Sequence, residues 1–260
     1  MSGDVTFWGL AASLVLVGVA IALSAWRRLG LERDLVLASA RAMAQLLVVG
    51  LALAFVLDED TPLALSWLWV VGMTVFAADV ARRRAREVPR FMVIALAAFL
   101  ATSAVTLAVV FGLGIFPLES RTLVPIAGLV IGNSMNATVL SARRGVEELR
   151  DKRLEVEARL ALGQPSWAAA LPYLRSAART ALVPQIETTK AVGIVFLPGA
   201  MTGLILAGVD PLDAVLVQVV VMYLVLASAA TTTTVVSMGL VRRLFTPDHR
   251  LRPLARPADG

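Results

Sequence analysis

The chain has 260 residues, of which 58% are hydrophobic and 17% charged, with a mean hydropathy of +0.79; that is more apolar surface than one soluble core can bury, so lipid must solvate it. It has no cysteine and a single histidine, His249 in the C-terminal tail, which excludes a disulfide framework, a thiolate metal site, a cysteine nucleophile, and a His-based metal cage or Ser-His-Asp triad inside the membrane. The formal net charge of +5 is distributed at the ends of apolar runs, the pattern of membrane topology and not of nucleic-acid binding.

The first apolar run, 7–26, is long enough to span a hydrocarbon core. A secretory signal is the competing reading, but residues 1–6 carry Asp4 and no Lys or Arg, while Arg27 and Arg28 follow the run; that charge order predicts an uncleaved span with its N-terminus outside. The second span, 35–57, carries Arg41 and Gln45 on one helical face and stops at Asp58-Glu59-Asp60. Arg41, about two turns in, is expected to snorkel to the cytoplasmic headgroups, whereas the Gln45 amide needs a partner or a cavity. The third span, 63–81, closes on Asp79 and the cluster Arg82, Arg83, Arg84 and Arg86, read as an inner-face signal that also meets anionic lipid. The fourth runs over 91–114, with an outer turn at Phe116-Pro117.

The fifth span, 122–140, has Pro125 near its start, a G-x-x-x-G pair at Gly128 and Gly132, and then Asn133, Ser134, Met135, Asn136, Ala137 and Thr138. Four polar side chains in an apolar span fit either an interhelical hydrogen-bond cluster or a translocation path, with Asn133 and Asn136 on a shared face. Residues 143–190 then form a cytoplasmic region in which Val146, Leu149, Val156 and Leu160 make one helical stripe, so the fifth span is expected to continue as a charged helix towards Glu157. Gly163-Gln164-Pro165-Ser166 breaks that helix. Pro165 disfavours helix at Gln164, Ser166 is the predicted N-cap, and a short helix is expected from Trp167 to Leu171. Glu157-Ala158, Gly163 and Leu171-Pro172 together resemble the EAA…G…LP coupling motif of ABC-transporter permeases, with Arg159 in place of its second alanine and the Leu-Pro a few residues early. That resemblance implies ATPase coupling through Glu157, Ala158, Gly163, Pro165 and Trp167.

The sixth span, 192–208, is expected to be a helix broken in its middle by Pro198, with Gly199 and Gly203 repeating the G-x-x-x-G spacing and Met201 beside the break. The seventh, 214–241, holds Gln218 and the run Thr231 to Thr234, whose hydroxyls are expected to bond back to their own helix. Of 24 Lys and Arg, three lie in 27–34, five in 82–90, nine in 143–190 and five in 242–260. The alternate loops carry Asp58, Glu59, Asp60, Glu119, Asp210 and Asp213 instead. The positive-inside rule then predicts an all-α integral membrane protein of seven transmembrane helices, N-terminus outside and C-terminus cytoplasmic, with a coupling helix–turn–helix between spans five and six. One transmembrane domain fills 1–241, and 242–260 is a cytoplasmic tail.

Gly132 to Thr138, Thr189-Lys190-Ala191-Val192-Gly193, Leu197 to Gly203, and Ala207 to Pro211 are together similar to the FetB-like permeases of bacterial iron-exporting ABC transporters, a family that also includes plant aluminium-tolerance permeases. The similarity covers nearly the whole chain, Arg41 and Gln45 included. It implies a permease homodimer in the plasma (inner) membrane that exports iron and is driven by a separate ATPase subunit, on which ATP and Mg would reside. The chain itself has no G-x-x-x-x-G-K-[ST] loop to cradle phosphates and is expected to bind no cofactor and to be no enzyme. The substrate path falls by hypothesis to Gln45, Asn133, Ser134, Met135, Asn136 and Met201, with Gly128, Gly132, Pro198, Gly199 and Gly203 serving the helix break and close packing. Iron favours carboxylate, imidazole or thiolate ligands, and the spans offer amides, hydroxyls and thioethers. A chelated metal, a weak transient site and a non-metal substrate such as a nucleotide sugar therefore stay open, as does an ATP-independent carrier or channel. The metal ligands are not assigned.

Overall fold

The structure is a computed structural model, and it describes residues 7–58 and 61–254. The predicted leader at 1–6, Glu59 and Asp60 of the acidic loop, and the end of the tail lie outside the described residues. Everything regular among them is helical. Helices α1 (Phe7–Arg27), α2 (Glu32–Val56), α3 (Leu63–Arg84), α4 (Phe91–Gly112) and α5 (Ser120–Asp151) follow the first five predicted spans; α6 (Arg153–Ala161), α7 (Ser166–Ala191), α8 (Gly199–Leu206) and α9 (Pro211–Leu244) complete the order. Five of them, α2, α3, α4, α5 and α9, are long and apolar enough to cross a membrane, and α1 adds a shorter apolar stretch over Ala11–Arg27. The chain is a multi-pass membrane protein by that composition.

The chain divides into two compact units, Met1–Pro62 and Leu63–Gly260. In the first, α1 and α2 form a helical hairpin. Its turn uses left-handed backbone at Arg28 and Gly30, and the Ser24 hydroxyl donates to Glu32 Oε1 at 2.8 Å. Arg41 and Gln45 are both exposed on α2.

In the second unit α5 is the hub. It packs on α3, α4, α7 and α9, and α4 in turn packs on α3 and α9. Small residues make these crossings close, as expected where lipid supplies no hydrophobic drive between helices. Ala77, Ala78, Ala81, Ala95, Ala98, Ala127 and Ala142 are all buried. A Cβ added at Gly145 would lie 2.5 Å from Leu240 Cδ1, and one added at Gly239 would lie 2.8 Å from Ile94 Cγ2. These contacts set the end of α9 beside the start of α4 and the C-terminal half of α5. Threonine hydroxyls bond back to their own helices both inside the bundle, Thr106 to Thr102 O and Thr233 to Ala229 O, and on its outer face, Thr231 to Ala227 O and Thr234 to Ala230 O. Thr232 departs from the expected pattern and pairs across the bundle with Thr138.

Three sequence expectations change. The sixth span is not one helix interrupted in its middle. α7 runs to Ala191, residues 192–198 are non-helical, and α8 is only 8 residues long, about 12 Å and too short to cross. Pro198 is the N-cap of α8, where its missing N–H costs nothing because the first helical donors have no partner within the helix. The break comes earlier, at Gly193, whose φ is +86 and whose N–H donates to Phe196 O at 3.0 Å. The helix after the coupling break, expected to be short, is α7 with 26 residues. Its alanines favour helix and bury a stripe of Ala169, Ala170, Tyr173, Leu174, Ala177 and Ala181. Pro172 and Pro184 sit on its exposed side and are absorbed. Ser166 is the first helical residue of α7, and Pro165 holds the N-cap position.

Candidate functional site

Two regions carry most of the predicted site residues: the turn between α6 and α7, and the polar stretch of α5; Gln45 on α2 and Pro198 to Gly203 at α8 lie apart from both.

The turn is built around Gly163. Helix α6 ends at Ala161 with Leu162 as its C-cap, and Gly163 takes a left-handed φ of +85. Its N–H donates to Leu160 O at 2.9 Å and the Gln164 N–H donates to Arg159 O at 3.1 Å. This paired pattern is the Schellman motif, which satisfies the last carbonyls of a helix and favours glycine at the left-handed position. Val156 is fully buried under α6. The Tyr173 hydroxyl donates to Glu155 Oε2 at 3.0 Å, and the Arg159 guanidinium lies 5.9 Å from the Tyr173 ring centre, so α6 is strapped down onto α7. Lys152 Nζ donates to the other Glu155 oxygen at 3.0 Å. These two hydrogen bonds, Lys152 first and Tyr173 second, hold the Glu155 carboxyl below the usual carboxylate range, and the same carboxylate raises Lys152. Glu157 pairs with Arg153 at 2.7 Å. Ala158 and Gly163 are exposed, Pro165 is half-buried, and a ridge of apolar side chains faces outward: Leu154 is 82% exposed, Leu162 82% and Trp167 60%.

The other side of the turn is held by the tail, a contact that the sequence reading missed. After α9 the chain folds back through a bridge between Phe245 and Leu251, both buried. His249 Nδ1 accepts from the Ser166 N–H at 3.2 Å and lies 2.9 Å from the Ser166 hydroxyl. The first residue of α7 is therefore partnered by the tail. The only local signal was the turn-forming run Thr246-Pro247-Asp248.

On α5 the predicted polar residues separate. Ser134 and Thr138 are buried, and Ser134 bonds back to Ile131 O at 3.0 Å. Met135 is half-buried against the core. Asn133 and Asn136 are exposed, as expected for one shared face. Asn133 Nδ2 donates to Leu129 O at 2.8 Å, and Asn136 Oδ1 accepts from Arg84 Nη1 at 3.4 Å. Since Arg84 ends α3 and Arg143, two turns beyond Asn136, pairs with Glu87 at 2.9 Å, Asn136 lies near the basic end of the bundle and not at its midplane. Met201, half-buried on α8, is carried by a helix that packs on α9 and shares no comparable interface with α5 within the chain. Of the glycines predicted to serve packing, Gly128 does so: a Cβ there would meet Met73 Cε at 2.9 Å. Gly132, Gly199 and Gly203 have nothing within 4 Å of that position. Gln45 belongs to the first unit. Among the described residues no group of three or more His, Asp or Glu is arranged to hold a metal ion.

The profile of an uncharacterised protein family, UPF0014, matches residues 7–245. The chain is 38% identical over 231 residues to the UPF0014 membrane protein STAR2 of Oryza sativa subsp. japonica, covering 88% of this chain and 80% of the relative. It is 34% identical over 245 residues to the protein ALUMINUM SENSITIVE 3 of Arabidopsis thaliana, covering 93% and 88%. It is 31% identical over 250 residues to the probable iron export permease protein FetB of Escherichia coli (strain K12), covering 96% of each. No solved structure is significantly similar.

Proposed function

Because this chain belongs to the UPF0014 family, we propose that it is the membrane permease subunit of an ABC transporter, exporting iron or a related metal, bare or chelated, under the drive of a separate ATPase. One relative is named a probable iron export permease. The observation that carries the coupling half of the reading is the outward apolar ridge at the α6–α7 turn. Leu154, Leu162 and Trp167 flank Gly163 on a segment too charged to lie in lipid, and exposed apolar side chains rimmed by charge mark a protein contact. An ATP-independent carrier or channel has no use for such a ridge.

The cargo route assigned here is the exposed amide face of α5, Asn133 and Asn136, with Met201 supplied by the α8 of a second copy. The open space at Gly132, Gly199 and Gly203 suits the close approach of that copy. Amide and thioether groups bind a bare transition metal weakly, which favours a chelated cargo. The test pairs the full chain with an ABC ATPase in liposomes. Gly163→Arg should leave membrane insertion intact but abolish co-purification of the ATPase and iron-stimulated ATP hydrolysis. Undiminished co-purification would overturn the docking assignment; ATP hydrolysis by the parent chain with its co-purifying ATPase that iron, bare or chelated, does not stimulate would overturn the cargo.

A further inference from the structure

The loop that joins α3 to α4 closes a cleft of about 550 Å³ lined by Arg82, Arg83, Arg86 and Arg90 over a floor that includes Val88 and Phe91. Charge inside it is unbalanced. Asp79 accepts from Arg82 and Arg83, each at 2.7 Å, and Glu87 is taken by Arg143 at 2.9 Å. Among the described residues no carboxylate pairs with Arg86 or Arg90, and none lines the cleft, so two of its four guanidiniums have no counter-charge. The loop is fixed in shape. Ala85, Val88 and Phe91 are buried, the Val88 N–H donates to Ala85 O at 3.2 Å, and Arg90 is held at a φ of +53, a left-handed backbone that a non-glycine residue adopts only at a cost in energy. The cleft also lies at the joined ends of two helices long and apolar enough to cross a membrane, which sets it at headgroup depth.

We propose that this cleft binds the phosphates of an anionic phospholipid, with a two-phosphate headgroup as its preferred ligand. Guanidiniums recognise phosphate oxygens through paired donors, and basic pockets at the cytoplasmic ends of membrane helices take such headgroups. The excess of guanidinium over carboxylate and the volume both exceed what one phosphate requires. The apolar floor suits a lipid over a soluble anion. This site is separate from the docking turn and does not depend on the transport reading.

The test is native mass spectrometry of the full-length chain in detergent with diphosphatidylglycerol, with phosphatidylglycerol at equal charge, and with inorganic pyrophosphate as competitor. Diphosphatidylglycerol should stay bound. The pair Arg86→Gln and Arg90→Gln should weaken it about tenfold or more, Arg86→Lys should retain most of the binding, and Arg175→Gln, outside the cleft, should change nothing. Should the double variant fail to fold, Arg86→Gln alone, at an exposed loop position, gives the same reading. Equal retention by variant and parent would overturn the site. Equal binding of phosphatidylglycerol would overturn the two-phosphate preference, and competition by pyrophosphate at equal phosphate concentration would overturn its assignment to lipid.

Discussion

At the scale of single residues, the α6–α7 turn turns on Gly163 and Tyr173. Gly163 has nothing within 4 Å of a would-be Cβ and a φ of +85, so a side chain there strains the backbone without a clash. Gly163→Ala should cost about 1 kcal/mol in the turn and leave ATPase docking measurable, which separates backbone strain from the steric block expected of Gly163→Arg. Tyr173 acts on charge. Its hydroxyl and Lys152 hold the Glu155 carboxyl low, so their stabilising contribution is present above the ordinary Glu range and is lost as pH falls through the lowered value. Tyr173→Phe keeps the ring beneath Arg159 and removes one donor. Glu155 should then titrate at higher pH in a carboxyl-labelled NMR experiment, and an unmoved titration would show that the hydroxyl contributes nothing.

At the scale of elements, α5, α7 and α9 cross tightly at Gly145, where an added Cβ would lie 2.5 Å from Leu240 and 3.2 Å from Leu174. Leu240 there is fully buried and Leu174 nearly so, which leaves neither room to withdraw. Gly145→Val should lower stability by roughly 1–3 kcal/mol, the usual cost of overpacking, as a lower unfolding midpoint in detergent. Gly72→Val, facing open space on α3, should not; equal midpoints for the two would refute the packing. Neither Gly145 nor Gly239 stood out in the sequence, because a crossing glycine without a G-x-x-x-G partner leaves no pattern. Five of the predicted spans were legible from hydropathy, since α2, α3, α4, α5 and α9 are helices long and apolar enough to cross a membrane. Residues 192–208 were misread because apolar composition says how much lipid a stretch tolerates and not whether it is helical. Gly193 and Pro198 end and begin helices there. α7 was read too short because Pro172 and Pro184 look like stops when their exposed setting is unknown. In the site, the shared face of Asn133 and Asn136 followed from spacing alone, while the pairing of Asn136 with Arg84 and of Ser166 with His249 joins residues 52 and 83 positions apart and leaves no local trace.

At the scale of the whole molecule, charge sorts by end. In the second unit the arginines of 82–90, 143–153 and 242–252 gather where α3, α5 and α9 finish, while Glu119, Asp210 and Asp213 lie at the starts of α5 and α9. By the positive-inside rule the basic end is expected to be the cytoplasmic one. In a chain without native cysteine, Asp213→Cys should react with an impermeant thiol reagent applied outside intact cells and Leu162→Cys should not; the reverse pattern would invert the orientation. The bond between Ser166 and His249 also has a consequence in time. The ribosome releases the α6–α7 turn well before it makes residue 249, so a growing chain carries an α7 whose first N–H still lacks its acceptor. We expect the turn to mature only when the tail arrives, so that an interrupted chain is distinguishable from a finished one at this spot. A chain stopped at Leu244 should insert into the membrane yet be cleaved faster at 162–168 by protease, and equal cleavage would show that the turn matures without its tail.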